Sequence, residues 1–384
     1  MRNYRIMTIL MAASMLAVTE SLMAQQRTLG FRDGGWELTG DAEFATVDGR
    51  ETVRIRTGFA TREDVVLQDG TIDFDVKMTR HRSFVYILFR MAEEGEHEEI
   101  YLRPHKSALP DAVQYNPVFQ GRGQWQIYHG PGATAAMEFS PEEWTHVRLV
   151  LQGRHAALFV GDTTTPAMVM PRLVREPTAG YIALRSFLPG GEPVGVFPAV
   201  YSDVMVRPGF IPFDFSTIAS SSNEETPEGV ITTWSISTAF VPGPGAVLEL
   251  PESVASGAWQ RIQTDPTGLA LLIRSVRLPP RTPRVAAAAR ITVQASQPTT
   301  RSFNFGYSDE VSVFLNGRLL YSADDRYSFD TPRREGLIGL DMGTLYLPLQ
   351  AGANELVLVV SDSFGGWGVM GQIPDRQGLR VVTR

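Results

Sequence analysis

The chain reads as an all-β protein, with two antiparallel β-sandwich domains in tandem behind an N-terminal export signal. Three observations predict this. No stretch sustains a 3.6-residue apolar period, whereas short runs of two-residue alternation recur along the chain, the pattern of strands with one buried face. The 384 residues include 35 Gly and 25 Pro, enough turn formers to interrupt the chain at short intervals. At 43% hydrophobic and 20% charged residues the composition is that of packed domains, and the length suits two or three of them.

The first element is the signal. Arg2 and Arg5 precede an apolar run from Ile6 to Val18, and Ser21-Leu22-Met23-Ala24 sets small residues where signal peptidase needs them. The run is shorter than the roughly 20 residues that span a bilayer, so residues 1–24 read as a signal peptide cleaved near Ala24. The protein is expected to be periplasmic or secreted, with no membrane span. No cysteine occurs, which excludes a disulfide framework, a thiolate metal site and a lipid-bearing cysteine. Lys77 and Lys106 are its only lysines and the formal charge is −7, so no basic stripe exists to follow phosphates and nucleic acid is not an expected partner.

Residues 25–207 form the first domain. Thr71 to Met78 alternates strictly, with Ile72, Phe74, Val76 and Met78 on one face and Thr71, Asp73, Asp75 and Lys77 on the other. Ser83 to Arg90 is apolar on both faces, as a central strand is, with Phe84, Tyr86 and Leu88 opposite Val85, Ile87 and Phe89. Further strands are expected at Val53 to Arg56, Glu99 to Arg103, Ala112 to Asn116, Gln124 to Tyr128, Thr145 to Gln152, Ala156 to Val160, Tyr181 to Ser186 and Ala199 to Arg207. Residues 208–229 are polar, rich in Pro, Ser and Glu, and read as a linker. The second domain, residues 230–384, resumes with strands at Val230 to Ser237, Leu269 to Val276, Arg290 to Ala295, Glu310 to Leu315 and Glu355 to Ser361. Asn316-Gly317 between two apolar runs predicts a two-residue hairpin, because both positions tolerate positive φ. Ala286 to Ala289 is too short for a helix.

These elements carry a resemblance. Gly70-Thr-Ile-Asp-Phe-Asp-Val, Tyr86-Ile-Leu-Phe-Arg90, Trp144-Thr-His-Val-Arg-Leu-Val, Gly180-Tyr-Ile-Ala-Leu and Tyr201-Ser-Asp-Val-Met-Val resemble the concanavalin A-like lectin/glucanase, or laminin-G-like, jelly roll. Val311-Ser-Val-Phe-Leu-Asn-Gly-Arg and Leu349-Gln-Ala-Gly-Ala-Asn-Glu-Leu-Val-Leu are similar to a galactose-binding-like jelly roll. The resemblance implies carbohydrate handling outside the cytoplasm, although both families also serve as inert or protein-binding modules.

The expected ligand face lies between Arg90 and Tyr128: Arg90, Tyr101, Arg103, His105, Gln114, Tyr115, Asn116, Trp125 and Tyr128. Planar amides and guanidinium groups offer the paired hydrogen bonds that sugar hydroxyls need, and rings offer platforms for C–H faces. A bland alternative makes Tyr115 and Trp125 core and the polar groups solvated sheet surface. Hydrolysis or lyase chemistry, if present, would draw on His105, on Glu98 or Glu99, and on Arg103, with the first sandwich as catalytic module. All six histidines fall in this domain; His97-Glu98 starts like a zinc-protease motif, but Tyr101 stands where the second His belongs. The run Glu93-Glu-Gly-Glu-His-Glu-Glu99 suits a solvated hairpin tip, or a structural calcium ion as the one cofactor expectation. Ser140-Pro141-Glu142-Glu143 reads as a capped helical turn rather than a glycosidase pair. The strand Ile72 to Lys77 has no Glu, which argues against the glucanase arrangement of two catalytic carboxylates there. No nucleotide or hydrolase-elbow motif occurs. In the second domain the ring of Trp367 either stacks on sugar or packs inside. A purely structural or adhesion role is the third reading, and the oligomeric state is open.

Overall fold

The computed structural model describes residues 26–190, 195–219, 226–279, 282–328 and 336–383. The signal segment 1–24 and residues 220–225 of the linker lie outside them. The described residues divide into two compact units, one drawn from the ranges 26–115 and 130–219, the other from 116–129 and 226–383. No helix among the described residues is long and apolar enough to cross a membrane.

In the first unit the hydrogen-bonded order is Met168–Met170, His155–Val160, Trp144–Gln152, Gly70–Met78, Ala199–Pro208, Arg50–Leu67, Gly180–Phe187, Phe84–Glu93, Glu96–Leu102 and Val113–Phe119. Alternation explains the burial: Ile72, Phe74, Val76 and Met78 of Gly70–Met78 are all core. The 18-residue strand Arg50–Leu67 joins two halves of this network, pairing Thr52 to Ile55 with Ala199 to Ser202 and Gly58 to Leu67 with Gly180 to Ser186. Gly58 opens the second pairing, and a Cβ there would come within 2.1 Å of Thr39 O, so only glycine lets the strand Glu37–Val47 follow it.

The two halves face each other across the core. Tyr201, on Ala199–Pro208, accepts Tyr86 N at 3.1 Å and lies 2.7 Å from Arg185 O, so one layer's side chain is bonded to the other layer's backbone. This is a β-sandwich with apolar residues inward from both sheets.

The second unit has a seven-stranded and a four-stranded antiparallel sheet. The larger centres on Val285–Ala295 and Gly352–Asp362, the smaller on Thr299–Ser308 between Gly368–Gln372 and Gly343–Leu349. Ala286 to Ala289 lie in Val285–Ala295, as strand and not helix. The Asn316-Gly317 hairpin forms between Glu310–Leu315 and Arg318–Asp324, with φ of 53° and 78°.

Four local expectations change. Gln124 to Tyr128 is a turn, closed by Ile127 N and Tyr128 N onto Gln124 O, both at 3.1 Å. Its place in the chain also differs from the expected first domain, because residues 116–129 pack with the second unit: Gln120 Nε2 donates to Ile273 O and Val276 O, and Arg122 pairs with Asp362. Leu269 to Val276 is strand only at Ala270–Leu271 and then a 3₁₀ turn, Leu272–Arg274. Glu142 has a φ of 64°, outside the helical region, so Ser140 to Glu143 is a turn without a helix.

Candidate functional site

Alternation on Glu96–Leu102 separates neighbours in sequence onto opposite faces. Glu98, Ile100 and Leu102 point one way, while His97, Glu99 and Tyr101 point the other. Glu98 is 0% exposed and its Oε1 accepts Tyr115 Oη at 2.7 Å and Arg175 N at 3.2 Å. Burial raises its pKa, against the hydrogen bond from Tyr115 and the charge of Arg90. Arg90 takes a φ of 52° where the pairing of Phe84–Glu93 with Glu96–Leu102 slips, which turns its side chain inward. There it donates to Gln68 O at 2.9 Å, Asp69 Oδ1 at 3.1 Å and Gly153 O at 2.7 Å, and lies 3.6 Å from Glu98 Oε2. Arg90, Tyr115 and Glu98 therefore tie loops together inside the sandwich and do not line a ligand face. The acidic run divides: Glu93 and Glu94 are exposed at the hairpin tip as expected, whereas His97, Glu98 and Glu99 are buried.

The other face gathers a different set. Gln114 Oε1 accepts Tyr101 Oη and Arg103, both at 2.9 Å, and Arg103 also pairs with Asp111 at 3.1 Å. Pairing places Tyr86 beside Tyr101 and Arg185 beside Tyr86. The Arg185 guanidinium lies 4.5 Å from the Tyr86 ring centre and 5.2 Å from that of Phe59, a cation between two aromatic faces. Its Nη1 is 3.4 Å from Glu99 Oε2, which His97 approaches at the same distance. Phe84 contacts Tyr86, Tyr101, Phe187 and His105, with ring centres 5.5 to 6.4 Å apart. Tyr86, Glu99, Tyr101, Arg103 and Gln114 form a buried floor; Phe59, Phe84 and Arg185 are half-buried and Phe187 is exposed. The result is a shelf of rings around one guanidinium, fixed from below by paired polar groups.

His105 accepts Ser83 N at 3.3 Å through Nδ1. Burial, and then the charges of Arg103, Arg82 and Lys106, lower its pKa to about 4, so the ring is neutral at physiological pH. Glu98 and Glu99 cannot form an acid and nucleophile pair, since they open to opposite faces and retaining hydrolysis needs both on one side of the sugar. On the shelf side Glu99 is engaged by Arg185 and Asp111 by Arg103. No group of three or more His, Asp or Glu suited to a metal ion occurs among the described residues.

The remaining expected residues belong to the second unit. Asn116 Oδ1 accepts Gln124 N at 2.6 Å and so anchors the turn. Tyr128 is half-buried in that turn. Trp125 meets Tyr327 and Phe364, with ring centres 5.5 and 6.0 Å away. Trp367 is core, its Nε1 donating to Val360 O at 3.1 Å, and the exposed ring of its loop is Phe364. Of the nine expected ligand residues, the fold brings together Tyr101, Arg103, Gln114 and, at the edge, His105. Sequence reasoning missed Arg185 and Phe59; the available signal was a lone arginine in the otherwise uncharged strand Gly180–Phe187.

No family model matches the chain, and no curated protein matches it. Among solved structures, it is similar to the carbohydrate binding module CBM66 from Bacillus subtilis, at 14% identity and a TM-score of 0.34 over 45% of this chain and 95% of that one. It is similar to a β-glucanase from Bacillus licheniformis, at 12% identity and a TM-score of 0.36 over 48% of this chain and 98% of that one. It is also similar to a κ-carrageenase from Pseudoalteromonas carrageenovora, at 12% identity and a TM-score of 0.32 over 48% and 94%.

Proposed function

We propose that this is an exported carbohydrate-binding protein of glycan recognition or utilisation, whose first unit holds a poly- or oligosaccharide on the shelf at Arg185. The supporting observation is the half-buried guanidinium between the Phe59 and Tyr86 rings, beside Phe84 and the exposed Phe187. Rings present apolar faces to sugar C–H groups, and a planar guanidinium gives two parallel hydrogen bonds to neighbouring hydroxyls. The floor beneath is already paired, so little order has to be gained on binding. Non-catalytic binding is favoured over hydrolysis because Glu98 and Glu99 face apart.

The test is a glycan array with and without calcium, followed by a reducing-end assay on every hit. Binding without cleavage that Arg185→Ala weakens about tenfold or more is the expected result, since a charge-assisted pair is worth roughly 1.5–3 kcal/mol. Cleavage would replace this reading with a hydrolase. A structural or adhesion role is favoured by one observation, the saturation of Gln114 Oε1 by Tyr101 and Arg103. Silence on the array would establish that alternative over sugar binding. Export is tested by sequencing the N-terminus of the mature protein, expected to begin at Gln25.

A further inference from the structure

The second unit presents three aromatic rings from three separate segments. Trp125, Tyr327 and Phe364 contact one another with ring centres 5.5, 6.0 and 6.1 Å apart. Phe364 is 59% exposed and Tyr327 38%, while Trp125 is half-buried beneath them. A single exposed ring is ordinary on a protein surface, whereas three rings in mutual contact form a contiguous apolar patch of the kind that takes ligands.

The loop that carries it is held in place on several sides. Asp309 Oδ2 accepts Ser363 N at 2.8 Å and Phe364 N at 3.1 Å. Gln126 N donates to Gly365 O at 2.9 Å, and Trp367 N donates to Gln124 Oε1 at 3.0 Å. Gly365 and Gly366 leave no room for a side chain, since a Cβ would lie 2.1 Å from Gln126 Oε1 at the first and 2.6 Å from Ile127 Cγ1 at the second. Asp309 is 0% exposed, and its other oxygen, Oδ1, has no hydrogen-bond partner among the described residues. Arg326, next to Tyr327 in sequence, pairs with Asp324 and lies 3.4 Å from Glu310, with nearly half its side chain exposed.

We infer that Trp125, Tyr327 and Phe364 form a second sugar-binding platform, in the second unit, that stacks on one or two pyranose rings while Arg326 reaches a hydroxyl. The inference rests on the carbohydrate reading above and adds a site to it. A fixed ring platform with polar groups at its rim matches a sugar, whose faces are apolar and whose edge is hydroxylated. A protein partner fits poorly, because a stable interface takes about 20 residues a side and three rings bounded by charge are far fewer. The segment 116–129 has a purpose in this arrangement, since it supplies Trp125 from beneath and the two glutamines that hold the Phe364 loop.

The experiment uses the full mature chain on one glycan array, with four proteins: wild type, Phe364→Ala, Trp125→Ala and Arg185→Ala. Phe364 is mostly exposed, so its replacement leaves folding intact, which a thermal melt verifies. The expected result is a set of glycans whose binding falls fivefold to tenfold in Phe364→Ala and Trp125→Ala and persists in Arg185→Ala, the loss matching about 1–1.4 kcal/mol for one stacked ring. If every wild-type hit survives Phe364→Ala unchanged while Arg185→Ala abolishes it, the platform is overturned and the first-unit reading stands. If hits respond to Phe364→Ala and ignore Arg185→Ala, the platform stands and the first-unit shelf falls. Silence of the wild type overturns both.

Discussion

Two aspartate pairs, one in each unit, show how partners decide what burial does to a carboxylate: Asp73, Asp309 and Asp362 are buried and Asp75 is half-buried. In the first unit Asp73 takes Arg148 at 2.6 Å, Arg207 at 2.8 Å and His146 at 3.3 Å, and Asp75 takes His146 at 2.8 Å and Arg50 at 2.7 Å. Burial pushes Asp73 upward, but the hydrogen bonds from His146, Arg148 and Arg207 win and lower it to about 2. In the second unit burial, then the charge of Asp362, raise Asp309 to about 7, while Asp362 rises to about 6 through burial despite Arg122. Each of these two keeps an oxygen with no partner among the described residues. The first pair is an ion network on a sheet; in the second, Asp309 holds the backbone of a loop through Ser363 N and Phe364 N, and Arg122 pairs with Asp362.

The largest expected effect breaks the first pair. Asp73→Ala leaves Arg148, Arg207 and protonated His146 crowded without their counter-charge, and should cost about 3–5 kcal/mol in urea unfolding at neutral pH. A loss below about 1 kcal/mol would show that solvent, and not Asp73, balances those cations.

Asp309→Asn sharpens the contrast, because the amide oxygen still accepts Ser363 N and Phe364 N. The carboxyl titrates near 3.8 unfolded and about 7 folded, so the folded state holds its proton more tightly. Its contribution is therefore full below 3.8 and is lost as pH rises from 3.8 to 7. The variant should match wild type near pH 4 and exceed it by about 1–3 kcal/mol near pH 8.5. A variant weaker than wild type at the higher pH would mean that the charge itself supports the loop.

Tyr201→Phe probes the buried polar contact under the shelf. Removing the hydroxyl deletes its buried bonds to Tyr86 N and the Arg185 carbonyl, for a loss of about 1–2 kcal/mol measured by unfolding. If the variant also weakens the glycan binding proposed for Arg185, the hydroxyl positions the shelf as well as stabilising the sandwich.

The smallest effect belongs to His146, whose hydrogen bonds to Asp73 and Asp75 raise it from 6.5 to about 9. Its stabilisation is fully present below 6.5 and disappears as pH climbs through 9. With 35% of the side chain exposed, solvent screening reduces it to about 1 kcal/mol. The gap between wild type and His146→Ala should close between about pH 6.5 and 9.5; a constant gap would assign the residue to packing alone.

Much of this was legible in the chain itself. Strict alternation marked Gly70–Met78, and the apolar run at Ser83 to Arg90 marked a central strand. Asn316-Gly317 located its hairpin because both residues tolerate the positive φ that this type of two-residue turn requires. Even the opposite fates of Glu98 and Glu99 follow from adjacency on a strand. Other features had no local signal. Gln124 to Tyr128 looked like a strand and became a turn, because Asn116 and the loop at Trp367 claim its polar groups. Arg90 left its expected face through a slip in pairing that no alternation predicts.

Sequence alone determined the all-β class and the strands and turns with a clear local signal, because a two-residue period and the φ demands of Gly and Asn act within a few residues. Only the tertiary structure decided which of those strands became neighbours. Sheet order brought Phe59, Tyr86 and Arg185 together across distances of 27 to 126 residues in sequence, and packing joined Trp125 to Tyr327 and Phe364. The physical reason is that side-chain direction is a local property of the backbone, whereas adjacency across a sheet is set by which distant edges bury the most apolar surface when they pair.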